Sequence, residues 1–124
     1  MLGSYDVLTF VIATDAAQAK SFYGDTLGLK FVQQDDYAVV FDANGIMLRV
    51  TVMPGHTPAH HTVLGWRVPD IQTAAADLVH VGVKLERYSF LEQDELGIWT
   101  APGGAAKVAW FKDPDGNVLS ISQH

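Results

Sequence analysis

Arg49 and Ser120 occupy equivalent positions in a short sequence motif that occurs twice in the chain. Residues 42–49 read Asp-Ala-Asn-Gly-Ile-Met-Leu-Arg, and residues 113–120 read Asp-Pro-Asp-Gly-Asn-Val-Leu-Ser. Each copy is typical of a turn that leads into a strand. The guanidinium of Arg49 could bind a carboxylate or a phosphate, because arginine pairs such groups through two hydrogen bonds. The hydroxyl of Ser120 offers only a neutral donor and acceptor.

Other residues that could do chemistry form weaker patterns. His56, His60 and His61 lie close together in sequence, but their spacing matches no established helical metal pair and no carboxylate accompanies them. We interpret them as part of a solvated linker. A serine nucleophile would need a base beside it, and the repeat supplies no histidine there. The chain has no cysteine, which excludes thiol catalysis and disulfides. No catalytic residue is assigned.

Composition excludes several classes of partner. The chain has 124 residues and a net charge of −6, and its eight lysines and arginines are scattered. We therefore expect no nucleic-acid partner, since such proteins concentrate basic residues. No apolar run reaches the roughly 20 residues that span a bilayer, so no membrane association is expected. The start of the sequence lacks the basic stretch of a secretory signal, and the expected location is cytoplasmic.

The first copy of the motif comes at the end of a series of predicted secondary-structure elements. Residues 5–13 are rich in β-branched and aromatic types, which favours a strand. Asp15 is an N-cap by type and Gly28 is a typical C-terminal stop, so we predict a helix from about 16 to 27. Further strands are predicted over 29–33, 37–41 and 46–53.

After the Pro-Gly-His-Thr-Pro linker the order begins again. Asp70 is the expected cap of a helix over 71–81. Strands are predicted over 62–68, 83–87 and 118–122. The glycine-rich stretch 89–107 is extra length in the second half, expected to be a mobile loop or a rim. We predict an α+β fold in one domain, 1–124, with βαβββ modules at about 5–53 and 62–123 and a linker at 54–61.

Two motifs carry a resemblance to a known family. Residues 22–31 read Phe-Tyr-Gly-Asp-Thr-Leu-Gly-Leu-Lys-Phe, and residues 110–117 read Trp-Phe-Lys-Asp-Pro-Asp-Gly-Asn. With the doubled βαβββ order, the sequence resembles the vicinal oxygen chelate superfamily, which includes glyoxalase I, extradiol dioxygenases and the bleomycin- and fosfomycin-resistance proteins. The resemblance implies a glyoxalase/bleomycin-resistance-like open sheet around a cleft between the modules. It also implies a homodimer.

The resemblance further implies where a metal would bind. Metal enzymes of this superfamily usually place His, Gln or Glu at four cleft-facing points, on the first and last strand of each module. Counting six residues back from each capping aspartate gives Thr9 and Leu64, and the turns give Arg49 and Ser120. Leucine has no lone pair, arginine is a permanent cation and hydroxyls are weak neutral donors. We therefore expect neither a metal nor a cofactor.

Alternation along the strands predicts the wall of the cleft. Met47 and Arg49 share one face, while the aliphatic residues between them belong against a helix. The same register sends Leu64 and Trp66 to the cleft, whereas Trp110 is expected in the core. The predicted ligand-binding residues are Thr9, Met47, Arg49, Leu64, Trp66 and Ser120.

The first functional hypothesis is metal-independent sequestration of a small anionic molecule with an aromatic or apolar body, as in the bleomycin-resistance proteins. In a structural alternative, Arg49 pairs with Asp94 or Glu95 instead of a ligand. The second hypothesis is a metal-dependent enzyme of the glyoxalase or dioxygenase type, or a metal-free lyase or isomerase with Asp94, Glu95 or His61 as its base. The third is an assembly protein whose sheet serves as a dimer platform.

Overall fold

The computed structural model describes all residues, 1–124, and divides the chain into two compact units, Met1–Pro58 and Ala59–His124. Each unit contains a four-stranded sheet with helical structure on one face. The predicted α+β class with two βαβββ modules is confirmed. No helix is both long enough and apolar enough to cross a membrane.

The first unit contains one parallel and two antiparallel strand pairs. A 3₁₀ turn, Leu2–Ser4, comes first. The elements that follow are β1 (Leu8–Ala13), α1 (Ala16–Ala19), a π-helix (Lys20–Thr26), β2 (Lys30–Gln34), β3 (Ala38–Ala43) and β4 (Ile46–Val52). The strand order is β1-β4-β3-β2, and β1 runs parallel to β4.

The helical segment of the first unit starts where the sequence predicts. The Asp15 carboxylate accepts a hydrogen bond from the Gln18 N–H at 2.8 Å, which is N-cap geometry. Gly28 has φ +78°, a conformation that favours glycine and ends the helix. The segment packs against β3 and β4. It covers a face of the sheet whose side chains include Leu48 and Val50, both fully buried.

The second unit repeats this order with a shorter second strand. Its elements are β5 (Thr62–Arg67), α2 (Ile71–His80), β6 (Trp99–Thr100), β7 (Lys107–Lys112) and β8 (Val118–Gln123). The strand order is β5-β8-β7-β6, with β5 parallel to β8. The Asp70 carboxylate caps α2 by accepting from the Gln72 and Thr73 N–H groups. The helix buries Ile71 and Ala75 and packs on β7 and β8.

The predicted strand over 83–87 is wrong. In this stretch the chain makes only an isolated bridge between Leu85 and Phe111, and the second strand of the unit, β6, lies inside the stretch expected to be a mobile loop. The Gln93 side chain accepts from the Tyr88 N–H and donates to the Glu86 and Gly97 carbonyls. These side-chain bonds satisfy backbone groups that a strand would otherwise pair with a neighbour.

Candidate functional site

The register of the first sheet decides which side chains share a face. Residues paired across adjacent strands point to the same side of a sheet. Arg49 pairs with Phe10 on β1 and with Val40 on β3, while Met47 pairs with Leu8 and Asp42. These side chains therefore lie on the side opposite the helix. We call this surface, formed by Leu8, Phe10, Val40, Asp42, Met47 and Arg49, the first face.

Thr9 lies on the other side, so the prediction that it shares a face with Arg49 is wrong. It pairs with the buried Leu48, and its hydroxyl donates to the Met47 carbonyl at 3.0 Å. The cause is that the count back from the capping Asp15 was one residue too long. Val11 and Ala13 are buried against the helix and fix the pleat of β1, which places Phe10 beside Arg49.

The prediction that Leu64 and Trp66 share a face with Ser120 is also wrong. Leu64 pairs with Leu119 and Trp66 with Ile121. Trp66 stacks on the buried Phe111, with ring centroids 6.3 Å apart and an interplanar angle of 22°. The register shifts between Thr62 and Leu64, and a bulged residue moves every later side chain of the strand to the opposite face. Simple alternation from Thr62 could not anticipate this shift.

Ser120 lies on the helix-free side of the second sheet among aromatic residues. It pairs with Gly65 on β5 and with Trp110 on β7. Trp110 contacts Tyr88 edge-on, with centroids 5.6 Å apart, and Trp99 at 6.2 Å. Trp110, which was expected in the core, is half-buried and lies on this helix-free side. We call the surface formed by Gly65, Tyr88, Trp99, Trp110 and Ser120 the second face.

The aromatic side chains of the second face, Tyr88, Trp99 and Trp110, are half-buried. Burial raises the pKa of the Tyr88 phenol, and the nearby charge of Glu86 raises it further, while Lys112 acts in the opposite direction. Glu86 and Lys112 form an ion pair at 3.5 Å.

The Arg49 guanidinium has no side-chain hydrogen bond and no ion pair within the chain. The alternative pairing with Asp94 or Glu95, which belong to the other unit, stays a prediction. The Asp94 carboxylate accepts from the Leu96 and Ile98 N–H groups at 2.9 Å each. A weaker electrostatic neighbour is Asp35. The Tyr37 and Ala38 N–H groups hold the pKa of Asp35 below its usual value, and the charge of Arg49 adds to this effect.

A small cavity opens beside Arg49 on the first face. Its volume is about 220 Å³, and its lining residues are Val32, Val40, Phe41, Asp42, Gly45 and Met47. The lining is mainly apolar, and Asp42 supplies its only ionisable group. Since Val40 is the cross-strand partner of Arg49, the cavity and the guanidinium are neighbours on one surface.

The positions that correspond to family metal ligands hold residues that do not fit a metal. After correction of the register, the pairs on the first and last strands are Phe10 with Arg49, and Gly65 with Ser120. A benzyl group, a guanidinium and a glycine cannot coordinate a divalent ion through their side chains, and one hydroxyl is not enough. No three His, Asp or Glu side chains lie close enough together to hold a metal ion, including those of the linker. No reaction step is derived through a metal.

Comparison with known families agrees with this architecture. The model of the Glyoxalase/Bleomycin resistance protein/Dioxygenase superfamily matches residues 6–121. The chain belongs to this superfamily. The resemblance seen in the two sequence motifs is thereby confirmed, although no curated protein matches the sequence.

Solved structures of the superfamily share the fold at low sequence identity. A member from Sphaerobacter thermophilus DSM 20745 is 24% identical, with a TM-score of 0.75 and 100% of both chains covered. The fosfomycin resistance protein FosX from Listeria monocytogenes is 10% identical, with a TM-score of 0.75 over 98% of this chain and 93% of that one. A lactoylglutathione lyase from Agrobacterium tumefaciens is 19% identical, with a TM-score of 0.72 over 97% and 93%. These names refer to different activities. Superfamily membership therefore establishes the fold, and the ligand must be inferred from the residues of the site.

Proposed function

We propose that this superfamily member binds a small anionic molecule with an apolar or aromatic body on the first face, without a metal ion. Arg49 binds the anionic group, and the neighbouring apolar side chains contact the body of the ligand. The protein acts by holding the molecule, and no bond of the ligand changes.

The observation that carries the proposal is an unpartnered guanidinium surrounded by exposed apolar surface. Phe10 is 55% exposed and Met47 is 40% exposed, on either side of Arg49. A half-buried arginine with no partner on its own chain can form two charge-assisted hydrogen bonds to a carboxylate or phosphate. Exposed aromatic and thioether groups beside it favour a flat or apolar ligand body.

The residue set of this proposal differs from the one predicted from the sequence. Arg49 and Met47 stay in the set, and Phe10 joins it because it is the cross-strand partner of Arg49. Thr9, Leu64 and Trp66 leave it because they lie on the helix-covered faces. A ligand role for Ser120, a cleft between the modules, a homodimer and a cytoplasmic location stay predictions.

The test is calorimetric titration with para-toluate, an aromatic carboxylate, in the presence of a chelator. Wild type is expected to bind it, and Arg49→Met is expected to weaken binding by about tenfold or more, because a hydrogen bond to a charged group contributes roughly 1.5–3 kcal/mol. Arg49→Lys should recover only part of the affinity, since lysine cannot form the bidentate pair.

Lys84→Met is the matched control. Lys84 is exposed and has no ion pair or side-chain hydrogen bond, so this variant removes one positive charge away from the site. It should bind para-toluate as wild type does. Equal affinity of Arg49→Met and wild type, or affinity that disappears in the chelator, would overturn the proposal.

A further inference from the structure

The two copies of the Asp-x-x-Gly turn use their aspartates differently. Asp113 is 5% exposed, and its Oδ1 accepts from the Asp115 and Asn117 N–H groups at 3.0 and 2.9 Å. Its Oδ2 accepts from the Asn117 side-chain amide at 2.8 Å. Asp42, in the same place of the first copy, accepts through Oδ1 from the Gly45 N–H at 2.6 Å. Its Oδ2 has no hydrogen-bond partner in the chain.

The free oxygen of Asp42 can be reached by a ligand. Asp42 is half-buried and lines the 220 Å³ cavity of the first face. No buried side-chain oxygen or nitrogen in the structure lacks a hydrogen-bond partner, so the unbonded Oδ2 contacts solvent. The turn itself needs only Oδ1. The second oxygen is therefore available to a hydrogen-bond donor that enters the cavity.

Asp42 and Arg49 are diagonal neighbours on one face. Asp42 pairs with Met47, and Arg49 lies two residues further along the same strand. Diagonal neighbours in an antiparallel pair have Cα atoms about 7–8 Å apart. The two charged groups form no ion pair with each other, and Val40 and Met47 lie between them. The surface thus presents a cation and an anion separated by an apolar patch.

Two further charged residues lie near this site: Asp35, whose carboxylate interacts electrostatically with Arg49, and Lys30. Lys30 is the cross-strand partner of Asp42 on β2, but its amine makes no ion pair with the carboxylate. Lys30 is exposed, where long side chains stay mobile and are screened by solvent. It therefore leaves Oδ2 accessible.

We propose that the ligand is a zwitterion, with a carboxylate or phosphate on Arg49, an apolar middle over Met47, and an ammonium or other hydrogen-bond donor on Asp42. This inference rests on the proposed function, because it extends the ligand bound by Arg49 to a second anchor point. A charge-assisted hydrogen bond to a carboxylate is roughly twice as strong as a neutral one, so an ammonium group is the donor that this position favours.

The experiment compares three ligands of one shape by calorimetric titration. They are para-(aminomethyl)benzoate, which carries both charges, para-toluate, which lacks the amine, and para-methylbenzylamine, which lacks the carboxylate. Wild type is expected to bind the zwitterion about tenfold more tightly than para-toluate, the size of effect that one charge-assisted hydrogen bond gives. The amine alone should bind more weakly than the zwitterion.

Asp42→Asn is the decisive variant, since the asparagine Oδ1 can still accept from the Gly45 N–H and keep the turn. It should lose the preference for the zwitterion over para-toluate to within about twofold, because a neutral amide replaces the charged partner. Asp25→Asn is the matched control, since Asp25 is exposed on the helical segment and its carboxylate has no hydrogen bond in the chain. It should keep the preference.

The outcomes separate the two proposals. If para-toluate binds through Arg49 but the zwitterion gains nothing, or if Asp42→Asn keeps the gain, the zwitterion inference is overturned and the proposed function stands. If neither acid binds wild type, both are overturned.

Discussion

The first and second faces are the helix-free faces of their two units, but they differ in the types of residue at their centres and in how these residues are packed. The cross-strand pair at the centre of the first face is Phe10 with Arg49, and the equivalent pair of the second face is Gly65 with Ser120. The first face leaves its charged group unpartnered and its aromatic side chain exposed. The second face packs Trp110 against Tyr88 and Trp99 of its own unit.

This difference shows which positions of the repeated unit are the same in both copies and which differ. Positions that hold the backbone are the same in both units, including the capping aspartates Asp15 and Asp70 and the turn aspartates. Positions on the helix-free faces are free to differ, because no helix packs on them. The second unit covers its aromatic side chains with one another, whereas the first unit leaves Phe10 exposed beside Arg49.

The largest expected effect compares the two turn aspartates. Asp113→Ala should lower the free energy of unfolding by about 2–3 kcal/mol, because it removes the acceptor of two buried hydrogen bonds from Asn117 and of a part-buried one from the Asp115 N–H. Asp42→Ala removes one exposed hydrogen bond and should cost about 0.5–1 kcal/mol. Chemical denaturation measures both, and similar losses for the two variants would contradict the division of roles.

The next effect tests the close contact at the centre of the second face. A Cβ at Gly65 would lie 2.6 Å from the Ser120 Oγ, so Gly65→Ala should destabilise the protein by about 1 kcal/mol. In a Ser120→Ala background the same change should be neutral or stabilising, since alanine is favoured over glycine in a strand interior. A double-mutant cycle measures this coupling. Additive effects would show that the two residues do not touch.

The smallest expected effect is the rise in the pKa of the Tyr88 phenol. Its folded pKa is raised above 10.0, so its contribution to stability is present below the unfolded pKa and is lost as the pH rises through the folded pKa. In absorbance titrations of phenolate, the step that disappears in Tyr88→Phe should lie above pH 10.0. A step for Tyr88 at or below that pH would contradict the shielding of this phenol from water.

Local sequence signals predicted most of the fold. Aspartate caps and glycine stops act within a few residues, so the positions of both helical segments followed from Asp15, Gly28 and Asp70. The missed strand over 83–87 depended on the Gln93 side chain, whose hydrogen bonds reach residues on both sides of it. No periodicity in the sequence reports such bonds.

The site was predicted only in part, because a face depends on register and register is set by pairing between distant strands. Arg49 and Met47 follow directly from alternation after the turn. Phe10 and Gly65 were each missed by one residue, because the count back from the capping aspartate was one residue too long in both units.

The order of the strands also constrains how each unit is made on the ribosome. β4 and β8 are the last strands of their units in sequence, yet each lies inside its sheet, between an early strand and a late one. β1 and β5 therefore have no partner in their sheets until the final strand has left the exit tunnel. During that interval the exposed edge of the early strand must avoid pairing with other nascent chains, and a slow step in translation after the early strand has emerged and before the final strand has left the tunnel would lengthen its exposure.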